Sequence, residues 1–295
     1  MPTNRARDNV KASMIMLVAV GAFSLMDAGI KVLSGRYPPL EVAAVRGLSS
    51  LPIILLWVAW TGGFRQLLHV RFPLHVVRGI LGIIMLALFA YGVRHIPLSE
   101  AYSIFFIAPL LITAFAVPIL GERVEWQRWV AIGAGLAGVL VVLRPTGSGF
   151  VTPAGIAVLM CATCYALSAI TVRILGRTDS TQSMVFWLMT MVGCGAGLLA
   201  IPQWKAIQPE HWPVIAGVAV TGSLGQWAIT EAFRTGEASF VAPFECTALA
   251  WGLGLDWLLW QTIPGGRTFA GAAIIIASGL YLIRREKVHV EAEHP

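Results

Sequence analysis

Charged side chains set inside apolar runs are the first residues of this sequence that can do chemistry. In "SLMDAGIKVL", residues 24–33, Asp27 and Lys31 stand one helical turn apart and share a face. Farther on, Glu245, Leu249, Gly252 and Asp256 follow at steps of four, three and four, just after Pro243. Arg46 and Arg78 each lie one to two turns inside an apolar run. A charge in such a setting costs several kcal/mol unless it is paired or wet, so each marks a structural ion pair, a solute contact or a proton carrier.

Weaker polar positions repeat at helical spacing. Ser99, Tyr102, Phe106, Pro109 and Thr113 fall near one face; Cys161, Tyr165, Ser168 and Thr171 share a second; Ser223, Gln226 and Thr230 share a third. In lipid a polar face must look at protein or water, so these stripes either line a common cavity or pack pairwise. Tyr102, Phe106, Tyr165, Trp227, Phe244 and Trp251 would supply aromatic walls for a planar or apolar solute. Most other tryptophans fall near the ends of apolar runs, as interfacial belts do.

Several short motifs are decoys. "GAGLAG" at 133–138 has dinucleotide-fingerprint spacing but no preceding strand, and "GCGAG" at 193–197 has GxxxG spacing; both read as close helix packing. "CATC" at 161–164 lacks the soluble setting or further ligands that a redox or zinc site needs. No histidine stands in the middle of an apolar run, which leaves an intramembrane enzyme without a base or metal cluster. No metal or cofactor site is expected.

The elements that position these residues follow from composition. The 295 residues are 57% hydrophobic and 12% charged, with mean hydropathy +0.76, where a soluble domain carries about 25% charge. Runs of helical length fall near 13–33, 40–60, 74–93, 98–120, 127–143, 154–175, 182–201, 212–232, 239–260 and 268–283. The chain therefore reads as an all-α polytopic membrane protein with ten transmembrane helices. Its N-terminal basic stretch leads into the first span rather than a cleaved signal, since no A-x-A site closes the run. Lys and Arg are more frequent in the segments that face the cytoplasm if both termini lie there. The net charge of +6 reads as that bias, with no nucleic-acid partner.

The two halves resemble each other. "RHIPLSEAYS" near 94 parallels "RTGEASFVAP" near 234, and "GLAGVLVVLR" parallels "IIASGLYLIR", both at an offset of 140. "FSLMDAGIKVL" parallels "YALSAITVRIL", setting Phe23 against Tyr165 and Lys31 against Arg173, while Asp27 aligns with Ala169. A five-span unit has odd parity, so its second copy is inverted, as in alternating-access carriers. The expected division is a first repeat over 1–145, a second over 150–287 and a polar cytoplasmic tail over 288–295.

Specific residues add a family resemblance. Lys31 closes the first span, Arg46 lies in "VRGLSS" within the second, and "PLLITAFAVPILGER" at 109–123 is a proline-initiated span closing on Gly-Glu-Arg. With the ten spans and the duplication, these resemble the EamA family of the drug/metabolite transporter superfamily. "WQTIPGGR" lacks a second Gly-Glu-Arg, and Phe23-Ser24 stands where the family often has Trp-Gly.

The resemblance implies a secondary transporter of the bacterial inner membrane with its cavity among spans one to four and six to nine. Export of amino acids, aromatic or other neutral, is the leading expectation. YddG-type aromatic amino-acid exporters are the narrower match, and another metabolite (nucleobase, vitamin or drug-like compound, in either direction) is the alternative. An intramembrane scaffold protein is the reading from another class.

Cavity candidates are Phe23, Asp27, Tyr102, Phe106, Tyr165, Ser168, Gln226, Trp227, Phe244, Glu245 and Trp251; Lys31, Arg46, Pro109 and Pro243 are expected to be structural or gating. Proton coupling through Asp27 or Glu245 stands open beside simple facilitated export. The expected partners are lipid and a small-molecule substrate, with the chain a monomer or weak homodimer.

Overall fold

The computed structural model describes residues 2–61, 64–68, 70–95, 104, 105, 107–122 and 152–248, with isolated positions between 124 and 137 and between 251 and 277. Among the described residues all regular structure is helical. Four helices are long and apolar enough to cross a membrane, within Arg7–Ile30, Pro39–Trp60, Pro153–Leu175 and Thr181–Gln203, and shorter apolar helices cover Phe72–Met85 and Ala108–Leu120. This is a multi-pass membrane protein. Most of the expected fifth and tenth spans, 127–143 and 268–283, lie outside the described residues.

Prolines and hydroxyls start the helices. Helix α1 runs over Pro2–Ser34, α2 over Pro39–Trp60, α3 over Phe64–Leu68 and α4 over Phe72–His95. Helix α5 covers Ala108–Leu120, α6 Pro153–Leu175, α7 Thr181–Ala200 and α8 Trp212–Thr235. Pro39 and Pro153 occupy first turns, where the missing N–H costs nothing. The Thr152 hydroxyl accepts the Gly155 N–H at 3.1 Å, and Ser180 caps α7 by accepting the Ser183 N–H at 3.2 Å. Gly121 ends α5 in the left-handed conformation at φ 70°, its N–H returning to the Val117 carbonyl at 3.1 Å.

Two expected spans are not continuous helices. Over 98–120, Ile104 and Phe105 are helical, Ile107 is a turn and a new helix starts at Ala108, with 96–103 and 106 outside the described residues. Pro109 cannot donate to the carbonyl of residue 105, and its ring crowds that carbonyl. Over 239–260 the chain forms a short helix α9, Ala238–Val241, then a 3-10 segment, Ala242–Thr247. Pro243 lies in that segment and likewise withholds an N–H.

Helices of the first half pack on helices of the second: α1 along α8, α2 along α7, and α4 along α6. One close approach is backbone on backbone. A Cβ on Gly47 of α2 would lie 2.6 Å from the Gly193 Cα of α7, so the glycine of "GCGAG" works as a packing notch. Among the described residues a Cβ on Gly133 of "GAGLAG" would meet nothing within 4 Å. Met14, Val18, Leu25 and Val32 form an exposed apolar stripe along α1, suited to lipid.

Candidate functional site

A buried polar cluster interrupts the apolar interior where α4, α6, α8 and the 3-10 segment meet. Arg78 of α4 is 3% exposed. Its Nη1 donates to the Met184 carbonyl of α7 at 3.0 Å and its Nη2 to the Thr230 hydroxyl of α8 at 3.4 Å. Gln226, one turn earlier on α8, donates through Nε2 to the same hydroxyl at 3.4 Å. The Arg78 Nε has no hydrogen-bond partner. Tyr165 of α6 stands close enough to couple electrostatically to both Arg78 and Glu245. Tyr165 hydrogen-bonds Glu245, whose Oε1 is sealed from solvent and has no hydrogen-bond partner among the described residues. A guanidinium and a carboxyl group with unspent hydrogen-bonding capacity, held in an apolar setting, can hydrogen-bond a polar solute.

Aromatic rings flank this cluster. The Phe105 ring lies 5.4 Å from that of Tyr165 and 6.2 Å from Phe89. Phe244 is buried, 5.7 Å from the ring of Phe240. Phe105 was not among the expected cavity residues, and its contact with Tyr165 joins the two halves of the chain. Tyr102 and Phe106 lie outside the described residues. Trp227 is half-buried against the core cluster formed by α1, α5, α6 and α8. Trp251 is 47% exposed, its indole 3.2 Å from where a Cβ on Gly21 would stand. Ser168 is half-buried, and its carbonyl accepts the Thr171 hydroxyl at 2.6 Å.

A second charged pair stands farther along α8. Asp27 is exposed, and the cation it meets electrostatically is Arg46 of α2, a partner one-turn spacing within α1 does not reveal. Arg46 lies 5.6 Å over the Phe23 ring, and its Nε is buried without a hydrogen-bond partner. Phe23 fills the notch at Gly225, where a Cβ would lie 2.8 Å from the ring. The Ser223 hydroxyl is buried and unpartnered. Pro109 opens α5, while the side chains of Lys31 and Pro243 lie outside the described residues.

Hydrogen bonds tie each end of the bundle. At the end carrying the N-terminus, Asn9 Oδ1 accepts the Glu237 N–H at 2.8 Å and Glu122 Oε1 accepts the Ala238 N–H at 2.9 Å. Arg173 donates to the Arg234 carbonyl at 2.8 Å and lies 3.8 Å from Glu122. Glu231 accepts from the Thr181 hydroxyl. His75 lies 2.8 Å from Asp179, which also accepts the Arg71 N–H at 3.0 Å. Burial pushes the Asp179 carboxyl up, but bonds from Thr178, His75 and the Arg71 N–H outweigh it and hold the group below its ordinary value. At the opposite end Glu41 is 1% exposed and accepts the Lys205 N–H at 2.9 Å. Tyr37 there bonds His211 at 3.0 Å and accepts the Gln208 N–H at 2.9 Å.

Among the described residues no group of three His, Cys, Asp or Glu side chains could hold a metal ion, and Cys161, Cys164 and Cys194 are free. Arg78, the cation of the central cluster, was legible only as an arginine inside "LHVVRGILGIIM"; its partners come from helices more than a hundred residues away.

A family model described as the EamA-like transporter family matches residues 10–144 and again 152–285. A riboflavin transporter of Vibrio cholerae is 29% identical, over 94% of this chain and 94% of that one. A pseudopaline exporter, CntI, of Pseudomonas aeruginosa is 26% identical over 95% of this chain and 99% of its own. An S-adenosylmethionine uptake transporter of Rickettsia prowazekii is 28% identical over 94% of each. A crystal structure of another protein superposes with TM-score 0.79 at 19% identity, covering 93% of this chain and 98% of that one, a likeness of fold alone.

Proposed function

The chain belongs to the EamA-like transporter family, and on that premise we propose that it carries a small organic metabolite across the bacterial inner membrane by alternating access. The observation that carries this reading is the Arg78–Thr230–Gln226 network beside Tyr165 and the unpartnered Glu245 oxygen, buried among helices of both halves. A guanidinium and a carboxyl group that both meet Tyr165 suit a head group carrying an acid and an amine, as found in amino acids and in larger metabolites built on them. The aromatic rings beside them suit a planar portion. A YddG-type preference for aromatic amino acids is one member of this class. The relatives that carry riboflavin, pseudopaline and S-adenosylmethionine favour cargo larger than a single amino acid. Alternating access is reversible, so net direction follows the gradients.

The two halves, 1–145 and 150–287, act as inverted repeats with both termini in the cytoplasm. In support, Ile107, where the fourth span breaks, corresponds at the 140-residue offset to Thr247, where the 3-10 segment ends. Broken helices at related positions of two repeats mark carrier binding sites. Purified protein in liposomes is expected to exchange an internal unlabelled metabolite for an external labelled one. Counterflow lost on Glu245→Gln, with the variant still folded, supports the site; counterflow of no metabolite in a panel of amino acids, vitamins and nucleosides overturns the reading.

A further inference from the structure

Helix α8 carries one polar stripe that touches both charged clusters. At its upper part a Cβ on Gly222 would lie 3.9 Å from the Arg46 Nε, and the neighbouring Ser223 hydroxyl is buried without a partner. Lower down, the Thr230 hydroxyl receives Arg78 at 3.4 Å, with Gln226 between the two levels. From Ser223 to Thr230 the helix rises by about 10 Å at about 1.5 Å per residue. At the upper level Arg46 meets Asp27 electrostatically, and at the lower level Arg78 and Glu245 both meet Tyr165. Each guanidinium also keeps an Nε that no group among the described residues satisfies.

We propose that the substrate is an elongated, two-ended polar metabolite whose ends are held by Arg46 with Asp27 and by Arg78 with Glu245, along the α8 stripe between them. This rests on the transporter reading and narrows its cargo. A single α-amino acid carries both charged groups on one carbon and reaches only one level at a time. A molecule with a polar group at each end, about 10 Å apart, satisfies both orphaned nitrogens together, and the gain over either half alone is that of linking two weak contacts. Phe23 at the upper level and Tyr165 with Phe105 at the lower offer a ring face to a planar end.

The test is calorimetric binding to the purified full chain with two probes and their parts. The first probe is S-adenosylmethionine, with methionine and adenosine as its halves; the second is riboflavin, with lumichrome and ribitol. At least one whole compound is expected to bind about tenfold or more tighter than either of its halves. Arg46→Gln is expected to lower the affinity of the whole compound to that of one half and spare the other half. Arg78→Gln is expected to do the converse. Arg46→Lys and Arg78→Lys, checked by thermal melting, separate lost contacts from lost folding. Halves that bind as tightly as the whole overturn the inference, as do two substitutions that weaken the same half or the failure of both whole compounds to bind. Counterflow of single amino acids alongside any of these results leaves the transporter reading standing, whereas counterflow of nothing removes that reading itself.

Discussion

The Arg78 Nη2 lies 3.4 Å from the Thr230 hydroxyl, joining α4 to α8 across 152 residues of sequence. The same side chain holds the Met184 carbonyl of α7 through Nη1 at 3.0 Å. One planar fork therefore ties three helices and still presents an unpaired Nε toward the interior. Lysine keeps the charge but not the fork. Arg78→Lys is expected to stay folded, with a modestly lower melting temperature, and to lose about tenfold or more in transport rate. Flux in liposomes measured beside a thermal melt checks this. Undiminished flux would reduce Arg78 to a structural brace.

How much of this was legible in the sequence depends on the range of the interaction. Helix starts at Pro39 and Pro153, and the Gly121 cap, follow from local chemistry and stand where the residues place them. Asp27 and Glu245 announced themselves as charges in apolar runs. Their neighbours did not: Asp27 meets Arg46, and Glu245 shares Tyr165 with Arg78, through helix pairings that periodicity within one helix cannot encode. Phe105 was not read as a cavity residue, because its contact with Tyr165 crosses between the halves. Glu41 and Glu231 lie near span ends, and loop and helix partners bury or bind them.

Gly47 gives a packing prediction. Its added Cβ would fall 2.6 Å from the Gly193 Cα and 2.8 Å from the Gly193 nitrogen, and backbone cannot swing aside as a side chain can. Gly47→Ala is expected to destabilise the chain by about 1–3 kcal/mol, as overpacked cores do. Gly197→Ala, whose nearest neighbour would be the Ala44 Cβ at 3.9 Å, is expected to be neutral. Melting both variants in detergent compares them directly.

Asp179 gives a pH prediction. Its folded carboxyl titrates below the ordinary value: although burial raises it, the bonds from Thr178, His75 and the Arg71 N–H prevail. A depressed folded value means the stabilisation is complete above the ordinary carboxylate range and is lost as pH falls through the lowered folded value. Asp179→Asn is therefore expected to melt earlier than the parent at neutral pH, with the gap closing in acid. Melting curves from about pH 7 down to about pH 3 read that convergence. A gap that stays constant would mean that shape, not charge, is what Asp179 supplies.

The 234–238 turn is gripped from three elements, and that grip predicts the conformational behaviour of the end carrying the N-terminus. Asn9 from α1 and Glu122 from the end of α5 accept two successive backbone N–H groups, those of Glu237 and Ala238. Arg173 from α6 donates to the Arg234 carbonyl and stands 3.8 Å from Glu122. Asn9 is 1% exposed and Glu237 6%, so releasing either N–H inside the closed end leaves a buried donor unpaired, at about 1–3 kcal/mol each. Asn9→Leu and Glu122→Met are thus expected to shift the population toward a form open at this end by about tenfold each or more. A cysteine placed at Ala12, which is 0% exposed, reads the shift through its rate of alkylation by a membrane-impermeant maleimide. Faster labelling in both variants, with unchanged labelling of a cysteine at exposed Trp60, is the expected result. Equal rates at Ala12 in parent and variants would show that the three contacts do not hold this end closed.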